Sequence, residues 1–80
     1  MKVVFSKRAV KSISRMDSTT KRRIGAGIAG IPDGDIKKMR KHTELYRLRI
    51  GDWRVVYSYQ DTNTVLIEDV GLRGQIYKGV

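Results

Sequence analysis

The chain has 80 residues, 40% of them hydrophobic, a net charge of +9 and a pI near 10.3, so it can form one small core with little room for a second site. It has no Cys, which excludes a disulfide framework, a thiolate zinc site and a cysteine nucleophile, and its single His and scattered carboxylates form no metal constellation. No run approaches the roughly 20 apolar residues that span a bilayer, and residues 1–8 hold only Val3 to Phe5 as an apolar stretch, too short for a secretory signal. The expectation is one domain, residues 1–80, cytoplasmic, with no membrane partner, no cofactor and no metal.

Residues 2–5 are β-branched and apolar, a short strand, and Ser6 is placed to cap a following helix. Ala9, Val10, Ile13 and Met16 recur at helical spacing over residues 7–16. Asp17-Ser18 ends that helix and starts another, in which Ile24, Ile28 and Ile31 fall at i, i+4 and i+7 with Lys21, Arg22 and Arg23 mostly outside. Gly25, Gly27 and Gly30 each cost a helix about 1 kcal/mol relative to Ala, so this element depends on packing or lets another backbone come close. Pro32-Asp33-Gly34 stops it, and residues 36–41 read as a helical turn.

Residues 45–57 then read as a hairpin around Gly51-Asp52, since Gly suits the first central position of a two-residue turn matched to strand twist. In that register Ile50 faces Trp53, Arg49 faces Arg54, Leu48 faces Val55 and Arg47 faces Val56. Alternation puts Tyr46, Leu48, Ile50, Val55 and Tyr57 on a core face and Arg47, Arg49 and Arg54 on the other. Like charges directly opposite are destabilising by a few tenths of a kcal/mol or more, so the cluster predicts an anionic ligand, phosphate foremost. After a turn near Asp61-Thr62-Asn63 comes a strand over residues 64–70, broken by Gly71, and a short extended stretch over residues 72–78. Glu68 and Asp69 alternate, so one of them should face the arginines. Arg73 and Tyr77 can reach the same open face. The fold class is therefore α+β, an N-terminal strand and a two-helix hairpin packed on one face of a three- to four-stranded, mainly antiparallel sheet.

Residues 1–40 carry eleven Lys or Arg against three acids, and residues 41–80 six against five. A basic chain this small points to nucleic acid, an acidic protein partner, or both. Gly25-Ala-Gly-Ile-Ala-Gly30 matches a dinucleotide-binding spacing letter for letter but lacks the βαβ unit that gives the pattern meaning. His42, between Lys41 and Thr43, reads as a solvated loop residue.

Leu45-Tyr-Arg-Leu-Arg-Ile-Gly-Asp-Trp-Arg-Val-Val-Tyr57, with Val70-Gly-Leu-Arg73 and Ile76-Tyr-Lys78 and the preceding Pro32-Asp-Gly-Asp-Ile-Lys-Lys38, resembles the bacterial RelE/ParE toxin superfamily over nearly the whole chain. The RelE-like branch implies a toxin of a type II toxin–antitoxin system, a metal-independent, ribosome-dependent mRNA interferase held inactive by a cognate acidic antitoxin. Carried over by position, the resemblance makes Arg54 and Arg73 phosphate-stabilising and Tyr77 the tyrosine near the attacked ribose, with Arg49 completing the catalytic set. Arg47 and Lys78 become substrate RNA contacts. The best-known pattern has lysines at the positions of Arg47 and Arg49; Arg clamps phosphate but is a poor general base, which leaves the base unassigned. A ParE-like inhibitor of DNA gyrase and a non-catalytic basic RNA-binding module are the alternatives.

Overall fold

The computed structural model describes residues 1–39 and 44–72. His42, Arg73, Tyr77 and Lys78 lie outside the described residues. Strand β1 (Lys2–Phe5) leads into helices α1 (Lys7–Ser14) and α2 (Ser18–Ala29), followed by β2 (Asp35–Lys38), β3 (Tyr46–Ile50), β4 (Trp53–Asp61) and β5 (Thr64–Leu72). The strands form one sheet in the order β1-β5-β4-β3-β2, with β1 parallel to β5 and every other pairing antiparallel. The expected α+β arrangement holds, with five strands rather than three or four.

Neither helix is long enough to persist alone in water, so caps and packing hold them. Ser6 Oγ accepts from the Ala9 N–H at 3.0 Å and donates to the Glu68 carbonyl at 2.7 Å, which closes the first turn of α1 and ties it to β5. Asp17 Oδ1 accepts from the Thr20 N–H at 2.7 Å. These bonds favour the charged carboxylate and hold Asp17 below the usual carboxylate range. Both helices cover one face of the sheet, where Ala9, Ile24, Ile28 and Ile31 meet Leu48, Val55, Tyr57, Val65, Ile67 and Val70.

Gly27 decides how closely α2 approaches β3. A Cβ there would fall 2.4 Å from Ile50 Cδ1 and 2.9 Å from Cγ1, closer than such atoms can sit. At Gly25 the same atom would meet nothing within 4 Å.

Three expectations are corrected. Of residues 36–41, expected as a helical turn, residues 36–38 belong to β2 and residues 40 and 41 lie outside the described residues: pairing with β3 brings Asp35 opposite Arg49 and Ile36 opposite Leu48, and the cross-strand partner outweighs weak local preference. Gly71 does not break the third hairpin strand; β5 continues through it to Leu72, with Gly71 opposite Arg54. The face away from the helices is not open throughout. β4 is the middle strand, flanked on both sides, and its far-face residues Arg54, Val56 and Ser58 are 8%, 1% and 8% exposed.

Candidate nucleic-acid interface

The hairpin register is the expected one: Ile50 opposite Trp53, Arg49 opposite Arg54, Leu48 opposite Val55 and Arg47 opposite Val56. Gly51 has φ of +60° while no non-glycine residue among the described residues has positive φ, the sign pattern of a turn with glycine first. The turn thereby fixes the register, and the register fixes Arg47, Arg49 and Arg54 on the far face.

These three arginines differ in surroundings. Arg54 is buried, and in register it stands between Arg49 on β3 and Gly71 on β5. Arg49 is exposed, and its Nε donates to the Gly51 carbonyl at 3.4 Å. Arg47 is half-buried, and its Nε lies out of solvent without a hydrogen-bond partner among the described residues. A buried donor left unpaired costs about 1–3 kcal/mol. Lys37 on β2 lies opposite Arg47 and adds a fourth cation to the face.

Among the described residues, carboxylates border the cluster without forming an ion pair with Arg47 or Arg49. Asp35 lies across from Arg49 in register, yet the two form no ion pair. On β5 a bulge at Glu68 shifts the ladder, so that Asp69 pairs with Val56 and Ile67 with Tyr57. A bulge sets two residues against one on the partner strand, so both acids, and not one of them as alternation predicts, lie on the cluster side: Glu68 Oε2 accepts from Ser58 Oγ at 2.9 Å, and Asp69 shares the register position of Val56. Asp69 Oδ2 stands 3.7 Å from Arg8 Nη1, and Oδ1 accepts from the Val70 N–H at 2.9 Å. Both acids thus have partners of their own.

On the helix face, Tyr46 stacks on Tyr57 with ring centroids 5.5 Å apart, and Tyr59 meets both rings edge-on at 5.5 and 5.9 Å. Burial raises the Tyr57 hydroxyl well above the ordinary phenol range, with Tyr59 and Tyr46 adding to the shift. Tyr46 and Tyr57 contribute to the core as expected, and Tyr59 is 39% exposed. Among the described residues, no group of three His, Cys, Asp or Glu is placed to hold a metal ion, and no helix is long and apolar enough to cross a membrane.

Two features escaped sequence reasoning. The Ser58–Glu68 contact depends on the bulge. The approach of Arg23 on α2 to Gly51, where a Cβ would fall 2.8 Å from Arg23 Nη2, depends on how α2 lies across the sheet. The helical outside position of Arg23 carried no signal of that contact.

Comparison with known proteins bears on this arrangement. A chain of the RelB–RelE antitoxin–toxin complex from Methanococcus jannaschii is matched with a TM-score of 0.76 and 25% identity over 92% of this chain and 94% of that one. The intact E. coli RelBE toxin–antitoxin complex gives 0.72 and 25% over 89% and 94%. The isolated E. coli RelE toxin gives 0.73 at 21% identity over 98% and 92%, a likeness of fold. No curated protein sequence gives a significant match. The family model for the ParE toxin of the type II toxin–antitoxin system parDE matches residues 3–77. With nearly the whole chain covered by that model, this protein belongs to the ParE toxin family, within the RelE/ParE superfamily of type II toxins.

Proposed function

We propose that the chain is a RelE-like mRNA interferase that cuts translated mRNA on the ribosome and is silenced by a cognate acidic antitoxin. The observation that carries this reading is Arg49 directly opposite Arg54, with the buried Arg47 donor on the same face. A protein gains little from opposed guanidinium groups unless an anion lies between or over them, and their planar forks suit phosphate. The RelE–RelB pairs among the structural neighbours support an antitoxin partner.

In the proposed reaction the 2′-oxygen of the nucleotide before the cut bonds to the adjacent phosphorus and the bond to the 5′-oxygen breaks. A proton leaves the 2′-hydroxyl and one reaches the departing oxygen, giving a cyclic phosphate and a 5′-hydroxyl. Attacking and leaving oxygens both belong to the RNA, and guanidinium groups meet the charge, so the scheme needs no metal ion. Arg54 and Arg73 stabilise the developing charge on the phosphoryl oxygens, the point at which fixed donors contribute most. Arg49 completes that catalytic set, Arg47 and Lys78 hold the RNA backbone, and Tyr77 serves proton transfer. The roles of Arg73, Tyr77 and Lys78 rest on sequence position alone.

A second reading, a toxin that binds DNA gyrase, is favoured by the match to the ParE model. One experiment separates the readings: mRNA cleavage in a translating extract beside gyrase supercoiling. Cleavage with unchanged supercoiling is expected, and it should stop when the nucleotide before the cut is 2′-deoxy. Gyrase inhibition with intact mRNA would replace the nuclease reading; RNA binding with neither activity would leave a binding module.

A further inference from the structure

The hairpin tip is where the two cationic surfaces of the molecule meet. Arg49 projects from the far face of the sheet, and its Nε donates to the Gly51 carbonyl at 3.4 Å. Arg23 comes from α2 on the helix face, and its guanidinium lies so close to Gly51 that a Cβ on that residue would stand 2.8 Å from Nη2 and 3.8 Å from Cζ. Two guanidinium groups thus reach one glycine from opposite sides of the sheet. Among the described residues neither has an ion pair, although Asp52 adjoins Gly51 in the turn and Asp35 is opposite Arg49 on β2.

We propose that Arg23 and Arg49 form a clamp across the Gly51 turn for one backbone phosphate of single-stranded RNA, continuous with the Arg47 and Arg54 face. The inference rests on the RNA-binding reading above and adds a contact from α2. The single donation to the Gly51 carbonyl holds Arg49 against the turn while its terminal nitrogens stay available. Arg23 reaches the same point only because Gly51 has no side chain. A phosphate held between them carries the strand around the tip, from the helix face toward Arg54. Charge at this position draws on backbone phosphate rather than bases, so the clamp is indifferent to sequence.

The test is equilibrium binding of short oligouridylate to the isolated toxin across a range of salt concentrations, a measurement that involves no cleavage. Each phosphate neutralised on a single strand adds about 0.7 to the slope of log K against log salt. Arg23→Ala and Arg49→Ala should each flatten the slope by about that amount, and the double variant by no more than either, since both lose the same phosphate. Arg23→Lys, which keeps the charge, should restore most of the slope, whereas a merely structural role for Arg23 would not move it. Arg22→Ala, one position along α2, should leave the slope unchanged.

Additive losses in the double variant, equal flattening by Arg22→Ala, or absence of oligouridylate binding would each overturn the clamp. So would an equal loss of poly-glutamate binding in Arg23→Ala, which would mark a general carboxylate site. If these slopes come out as expected while programmed ribosomes leave mRNA intact, the nuclease reading fails and the clamp stands.

Discussion

At the scale of single residues, Arg54 differs from the other arginines because it is 8% exposed while Arg49 across from it is exposed to solvent. A charge held in a water-poor position interacts more strongly with a developing negative charge than the same group in bulk water. Arg54→Ala is expected to lower single-turnover cleavage on programmed ribosomes by about 100- to 1000-fold, the usual loss when one charge-stabilising donor is removed. Arg54→Lys keeps the charge without the planar fork and should recover only part of that loss. Thermal unfolding of both variants separates a lost contact from a lost fold, and activity near wild type in a folded Arg54→Ala protein would remove Arg54 from the mechanism. The opposition of Arg49 and Arg54 was legible in the sequence because Gly51-Asp52 leaves a two-residue loop, and such a turn fixes every cross-strand pair behind it. The burial of Arg54 was not legible, since alternation assigns a residue to a face but does not say how far that face is covered.

At the scale of elements, the two helix glycines separate tertiary fit from helix propensity. Gly25→Ala adds a methyl in open space and should stabilise the protein by about 0.5–1 kcal/mol. Gly27→Ala gains the same propensity but drives a Cβ into Ile50, and overpacking of this kind costs about 1–3 kcal/mol, so the net change should be destabilising. Equilibrium denaturation of the pair checks both signs; equal stabilisation would show that Ile50 moves aside freely. The cap of α2 adds a pH dependence. Asp17 has its folded-state pKa lowered by the Thr20 N–H, so its contribution is present above the unfolded value and fades as pH falls through the folded one. Asn also caps a helix but does not titrate in this range, so any stability advantage of wild type over Asp17→Asn should shrink on the acid side, as stability curves of the two proteins will show. The sequence carried these helices well, through Ser6, Asp17 and the spacing of Ile24, Ile28 and Ile31. It carried β2 poorly, because a segment with Ile36 as its one apolar residue has neither a helical nor an alternating pattern, and only pairing with β3 makes it a strand.

At the scale of the whole molecule, the +9 charge is spread over a body 31 × 28 × 23 Å in extent. The screening length is about 30 Å at 0.01 M salt and about 8 Å at 0.15 M. In dilute salt the acidic antitoxin proposed above would therefore feel the charge of the entire chain on approach, and at physiological salt only the surface it is about to touch. Electrostatic steering acts mainly on the association rate, so that rate should fall steeply with ionic strength while dissociation changes little. The same lengths allow the docking face to be located. Lys11 on α1 and Arg49 on β3 are both exposed, and they belong to elements on the helix layer and the sheet. Lys11→Gln and Arg49→Gln each remove one positive charge, so in dilute salt they should slow association to a similar degree. At physiological salt the two should diverge, and if the antitoxin masks the arginine face, Arg49→Gln alone remains slow. Stopped-flow association at several salt concentrations gives both comparisons. A rate indifferent to ionic strength would exclude steering by the net charge, and a persistent effect of Lys11→Gln alone would move the antitoxin contact to the helices.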